Sequence, residues 1–258
     1  MNAIAGTPSS ASKLRLLRDI RYFEFDGMPA PQGPAPDYLG ALFPSPAGAS
    51  SLGLRLACKA EELGISIGQA SHLYLCFTRA IAPGAVEACN YQYRNERWAQ
   101  FVLVGLPHHY AGLDDQQRLT ALLDASCAAL HWLAPTRLAE ISTLRRGILE
   151  HGDALRVRIH TKPGKLYHIC IEHTVATHPA PSSLYVRIKA SATGAETEFK
   201  LAELGRPDDA RALVGRVAIR DGVLIIHPKP SWRASLDAAP YNTPLTVDLR
   251  QSGARQTE

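Results

Sequence analysis

The stretch WAQFVLVGLPHHYAGLDDQQRLTALLDASCAALHWLAP, residues Trp98 to Pro135, changes period partway through, and that change decides the fold class. Trp98 to Val104 (WAQFVLV) is a short apolar run with strand-forming residues, stopped by Gly105-Leu106-Pro107. Asp114 then precedes Gln117 by three residues, which is the spacing of a helix capping box. Leu119, Leu122, Leu123, Cys127, Leu130 and Leu133 recur at i, i+3 and i+4, so a helix is expected over 114–134, stopped by Pro135. Leu138, Ile141, Leu144 or Arg145, and Ile148 or Leu149 carry a second helix over 136–151, closed by Gly152.

Strand patterns lie on both sides of these helices. Upstream, Ile20 to Phe25 (IRYFEF) reads as a strand. In Ser71 to Thr78 (SHLYLCFT), Leu73, Leu75 and Phe77 take one face and His72, Tyr74 and Cys76 the other. Leu52 to Leu63 begins by alternating and ends helix-like, and its period does not choose. The prolines of residues 28–36 and the PSPAGASS run exclude regular structure, and residues 82–96 read as a loop or hairpin connection. Downstream of Ala154 the pattern is β. ALRVRIHT and KLYHICIEHTV flank Pro163-Gly164, followed by SLYVRIKASA and TEFKL. GRVAIRDGVLIIHP is a hairpin turning at Asp221-Gly222, and PLTVDLR is a last strand. The expected fold is α+β, antiparallel sheets with two central helices packed on one face. Residues 1–12 are read as a disordered lead-in, 13–251 as a single domain with a possible subdivision near 152 (a mixed half 13–151 and a β-rich half 153–251), and 252–258 as a tail.

Composition narrows the function classes. At 258 residues the chain is long enough to bury a core without covalent staples. Apolar residues are 46% and charged residues 20%, which excludes disorder over the whole length. The net charge of +4 is spread over short clusters (Lys13/Arg15/Arg18/Arg21, Arg145-Arg146, Arg156/Arg158), not the long basic stripe of a nucleic-acid binder. Five cysteines without a CxxC pair read as reduced, packed thiols. The first residues hold no long apolar segment and no run reaches the roughly 18 residues of a membrane span, so a cytoplasmic protein without a membrane partner is expected.

Each motif with chemical capacity has a structural use beside it. His108-His109 point apart in an extended chain and chelate poorly, which leaves a polar loop feeding a capped helix. His168, Cys170 and Glu172 alternate on one strand face, yet neighbours there lie about 6.5–7 Å apart, too far for all three to meet one ion. His72 and Cys76 share a face as a packing pattern. Neither a nucleophile elbow nor a phosphate-cradling glycine motif occurs. No metal or cofactor is expected. Arg156, Arg158 and His160 alternate, with Lys162 and Lys165 beside them. They suit an acidic partner or a phosphate, and equally a strand face protected by charge against edge pairing.

The run from Trp98 through Gly105-Leu106-Pro107, Tyr110 and Leu113 to Pro135 resembles bacterial immunity proteins of polymorphic-toxin systems. Lys165-Leu166-Tyr167 and the run Asp221 to Lys229 (DGVLIIHPK) resemble their β-rich ends. The resemblance covers about half the chain. It implies a cytoplasmic protein that binds and blocks a cognate protein toxin, with no catalytic residue to carry over. Many immunity proteins against nucleases are acidic, so a net charge of +4 points away from a nuclease and leaves the toxin class open. Interfaces are anchored by exposed aromatics and arginines. The expected contact residues are Tyr91, Tyr93, Arg94, Arg97, His109 and Tyr110 around the Trp98 strand, and Arg156 and Arg158 on the basic face. The alternatives are an enzyme using His108 or His109 as acid-base, and an accessory protein that binds phosphate or nucleic acid.

Overall fold

A computed structural model describes residues 14–25, 36–89, 91 and 98–251. The lead-in, most of the proline-rich loop at 28–36, the C-terminal tail and the expected contact residues Tyr93, Arg94 and Arg97 lie outside the described residues. The fold is α+β. The chain divides into two compact units, Met1–Arg146 and Gly147–Glu258.

In the first unit, strands β1 (Asp19–Glu24), β2 (Asp37–Tyr38), β3 (His72–Thr78), β4 (Val86–Ala88) and β5 (Ala99–Gly105) form one sheet in the order β2-β1-β3-β5-β4. The pairing departs from the antiparallel expectation in the middle of this sheet. β1, β3 and β5 run parallel, and only the edge strands β2 and β4 are antiparallel to their neighbours. Parallel neighbours need a long crossover, and the ambiguous segment supplies the first one as helix α1 (Ala49–Glu62). Leu52, Leu56, Ala57 and Ala60 are among its buried residues, so its helical second half carried the correct period. The β4 strand sits inside the segment expected to be a loop or hairpin connection.

The face assignment of β3 holds, because the register places Tyr22, Leu75 and Val102 in one row and Phe23, Cys76 and Leu103 in the next. Helix α2 (Asp115–Leu133) begins at the expected capping box. Gln117 N–H donates to the Asp114 carboxylate at 2.8 Å, and Asp114 N–H to the Gln117 side chain at 3.0 Å. Tyr22 and Ser126 share a buried hydrogen bond of 3.1 Å that ties α2 to β1. Helix α3 (Leu138–His151) buries Ile141, Leu144 and Ile148, whereas Leu138 and Leu149 face outward.

The second unit holds two antiparallel sheets. β6 (Val157–Lys162), β7 (Tyr167–His173), β8 (Ser182–Ala190) and β9 (Glu196–Leu204) follow chain order, as do β10 (Arg216–Arg220), β11 (Val223–His227) and β12 (Leu245–Asp248). Both sheets feed one core that includes Ile169, Ile171, Val186, Ile188, Leu224 and Ile226. The β10–β11 hairpin turns at Asp221 and Gly222 with φ of 48° and 75°, the left-handed pair a two-residue turn requires. Two short helices complete the unit, α4 (Asp209–Leu213) and α5 (Trp232–Ala238).

Candidate functional site

The His108-His109-Tyr110 segment is a fastened connection between β5 and α2. The chain leaves β5 at Gly105, where a side-chain Cβ would collide with the Ala82 carbonyl oxygen. Tyr110 N–H bonds the Pro107 carbonyl at 3.0 Å, and the Arg118 guanidinium donates to the Ala111 carbonyl at 2.7 Å. His108 and His109 are exposed. Tyr110 is not a surface contact: only 1% of it is accessible, and its ring meets Phe43 edge-on at 6.0 Å. Its hydroxyl has no hydrogen-bond partner, and burial pushes its pKa up to about 12. The sequence placed it on a surface because a tyrosine beside two histidines reads as polar; the apolar wall it meets is Phe43, from a segment far upstream in the chain.

A second cluster lies on the sheet face that carries Phe23, Tyr74 and Phe101. Tyr74 and Phe101 stand edge-on at 5.0 Å, Trp98 meets His72 at 4.6 Å, and Arg21 lies 5.8 Å over Tyr74 while bonding Asp19 at 2.6 Å. Tyr91, an expected contact residue, is half-buried and packs edge-on against Phe101 at 5.1 Å. Burial lowers the His72 pKa, with Asp19 opposing the shift. Cys76 and Cys89 belong to the same cluster.

On the second unit, the expected basic face divides. A β-bulge between Arg158 and His160 inserts Ile159, and an extra residue reverses the alternation. Arg158 stands opposite Glu172, but His160 stands opposite Ile171 and Lys162 opposite Ile169, on the core side. Lys162 reaches the Val217 carbonyl at 2.5 Å. The outer face then reads across the strands as three rows: Arg158, Glu172, Tyr185 and Lys200; Thr161, Cys170, Arg187 and Glu198; His168, Lys189 and Glu196. Its charges largely answer one another. Arg187 bridges Glu172 (3.0 Å) and Glu196 (3.3 Å), and Arg156 bonds Glu198 at 3.0 Å with its guanidinium 3.1 Å above the Tyr185 ring. Arg156 and Arg158 do share a face, as a mixed ladder and not as a cationic patch. His168, Cys170 and Glu172 share it too. Cys170 and Glu172 are buried there, and Cys170 Sγ donates to Glu172 Oε1 at 3.6 Å. Among the described residues no group of three His, Cys, Asp or Glu is placed to hold a metal ion.

Sequence reading missed α5, whose polarity is inverted. Ser231 Oγ caps it by accepting from Ala234 N–H at 3.2 Å. The inward positions are Ala234 and Ala238, while Trp232 is 77% exposed and Leu236 50% exposed. These two are four residues apart and share one face. Arg233 and Asp237 pair beside them at 3.3 Å. A signal was present: a serine cap, large apolar residues at i and i+4, and alanines on the opposite side, between Pro230 and Pro240. No helix among the described residues is long and apolar enough to cross a membrane. Comparison with protein-family models, curated proteins and solved structures found no match.

Proposed function

We propose that this chain is a binding protein that neutralises a cognate protein toxin by direct contact, with α5 as an anchor of the interface. The observation that carries the reading is the exposure of Trp232 and Leu236 on a helix whose inward residues are alanines. An ordinary surface helix buries its large apolar side chains and turns small or polar ones outward. Leaving an indole and an isobutyl group in water forgoes about 1.5–3 kcal/mol per side chain, which a partner recovers on covering them. Tryptophan is also the residue type most concentrated among interface anchors. The resemblance of the Trp98–Pro135 run and the β-rich segments to immunity proteins supplies the class of partner.

The experiment is purification of the tagged chain from its native cells, identification of a stoichiometric partner, and reconstitution with that partner purified. The expected result is a one-to-one complex that blocks the partner's toxicity. Trp232→Ala is expected to weaken it by about 2 kcal/mol, roughly 30-fold in Kd. A purified partner whose toxicity persists in the complex, or a Kd unchanged by Trp232→Ala together with Leu236→Ala, overturns this reading.

A further inference from the structure

We infer that the seam between β9 and β12 is a docking site for an extended peptide strand, which enters edge-on and joins the two sheets of the second unit. These sheets share one core but keep four edge strands, β6 and β9 on one, β10 and β12 on the other. The edges meet in two seams, and the seams differ. Lys162, at the end of β6, crosses the first and donates to the Val217 carbonyl of β10. The second holds a groove of about 470 Å³, walled by residues 199–202 of β9 and 245–248 of β12. Among the described residues β9 pairs only with β8 and β12 only with β11, and no backbone hydrogen bond crosses between them.

The walls specify the occupant. In an antiparallel ladder each strand bonds its neighbour through about half of its residues and turns the N–H and C=O groups of the others away. Both walls therefore offer main-chain donors and acceptors at strand spacing, and the partner that matches such a row is another strand. A bulge adds to this on β9. Lys200 stands opposite Tyr185 and Ala202 opposite Leu184, so Leu201 between them is the extra residue, and it lies in the groove. At their nearest, the Cα atoms of β9 and β12 come within 8 Å. Strands with one strand between them stand roughly 9.6 Å apart, so the seam widens as the peptide enters. β12 is the wall that gives, because it has four residues and β11 as its one neighbour, whereas β9 is laddered to β8 along nine.

Side chains set the period and the charge of the incoming strand. Phe199 and Ala202 lie across from Val186 and Leu184, and Leu245 and Val247 across from Ile226 and Leu224, so these four line the core side. Lys200, Thr246 and Asp248 form the outer lip. A seated strand turns every second residue to the core side and the others to water, so its apolar and polar residues alternate. The lip charges are answered within the chain, Lys200 by Glu203 at 2.6 Å and Asp248 by Arg250 at 2.9 Å, which suits an uncharged strand and not a polyanion. Tyr241 stands in the groove wall, fixed by its hydroxyl, which accepts from Gly205 N–H at 2.8 Å and donates to Asp209 at 2.7 Å.

The test pans a phage-displayed random peptide library against the full chain, then makes the enriched peptides synthetically. A library is the probe, so the outcome depends neither on α5 nor on any toxin. The expected binders alternate apolar and polar residues without net charge, and on binding they slow hydrogen exchange at residues 199–202 and 245–248. Each residue of a binder is then N-methylated in turn. Loss of affinity is expected at every second position, about tenfold for each main-chain donor removed, because only alternate N–H groups face a given wall. A library that yields no binder, binders with apolar residues at helical i, i+3 and i+4 spacing, exchange protection outside the seam, or an N-methyl scan without a period of two overturns the inference.

Discussion

His173 shows what a single position can do to the whole energy balance. It ends β7, is 1% exposed, and neither ring nitrogen has a hydrogen-bond partner. Burial, with Arg211 adding to it, lowers its pKa from 6.5 to about 4. The unfolded chain therefore takes up a proton near pH 6.5 that the folded chain refuses until about pH 4, and stability is full above 6.5 and falls as the pH drops between these values. The loss amounts to roughly 3 kcal/mol once both states are protonated. His173→Leu, similar in volume, is expected to flatten that segment of the pH–stability curve measured by urea unfolding, and to change stability at pH 7 by less than about 1.5 kcal/mol. Tyr110 has the same origin with a different outcome, since its orphaned hydroxyl gains nothing from burial. Tyr110→Phe should be neutral or stabilising, within about 1 kcal/mol, and should leave partner affinity unchanged, because the ring offers no surface. A partner affinity that falls with this change would return Tyr110 to the interface.

At the scale of elements, the parallel centre of the first sheet depends on what holds its edge. Glu24 ends β1, is buried, and accepts four successive backbone N–H groups, from Gly40 (3.2 Å), Ala41 (3.1 Å), Leu42 (2.9 Å) and Phe43 (3.1 Å). One carboxylate thereby organises the turn that follows β2 and seats Phe43 against Phe77 and Tyr110. Glu24→Ala leaves those donors without their acceptor and is expected to cost on the order of 3 kcal/mol in urea unfolding. Much of this layer was legible. The α2 capping box, the stripe of α2 and the faces of β3 follow from spacing, because a helix period and a strand period are local properties. The parallel direction of β1, β3 and β5 was not, because a strand's own residues do not state which neighbour it will meet. The β6 bulge was also hidden: one added residue, Ile159, sends His160 and Lys162 to the opposite face from the one strict alternation predicts.

At the scale of the molecule, each unit has its own buried cluster: Leu224, Ile226, Ile171 and Val186 belong to the second, Phe23, Tyr74, Cys76 and Phe101 to the first. Leu224→Ala removes a fully buried side chain and should cost about 2–5 kcal/mol locally. Hydrogen exchange is expected to show lost protection across β7, β8, β10 and β11, with β1, β3 and β5 changing less; equal loss in all of them would mean that the chain unfolds as one cooperative body.

The sequence by itself determined the α+β class, the capped α2 helix, the Asp221-Gly222 hairpin and the β-rich second half, since each is written in residues that are neighbours along the chain. Only the tertiary structure decided that Tyr110 is buried against Phe43, that Arg156 places its charge on Glu198 and Tyr185, and that Trp232 stands in water. The physical reason is common to all three. Exposure and charge pairing are set by groups brought from distant positions, and no local period records which distant group arrives.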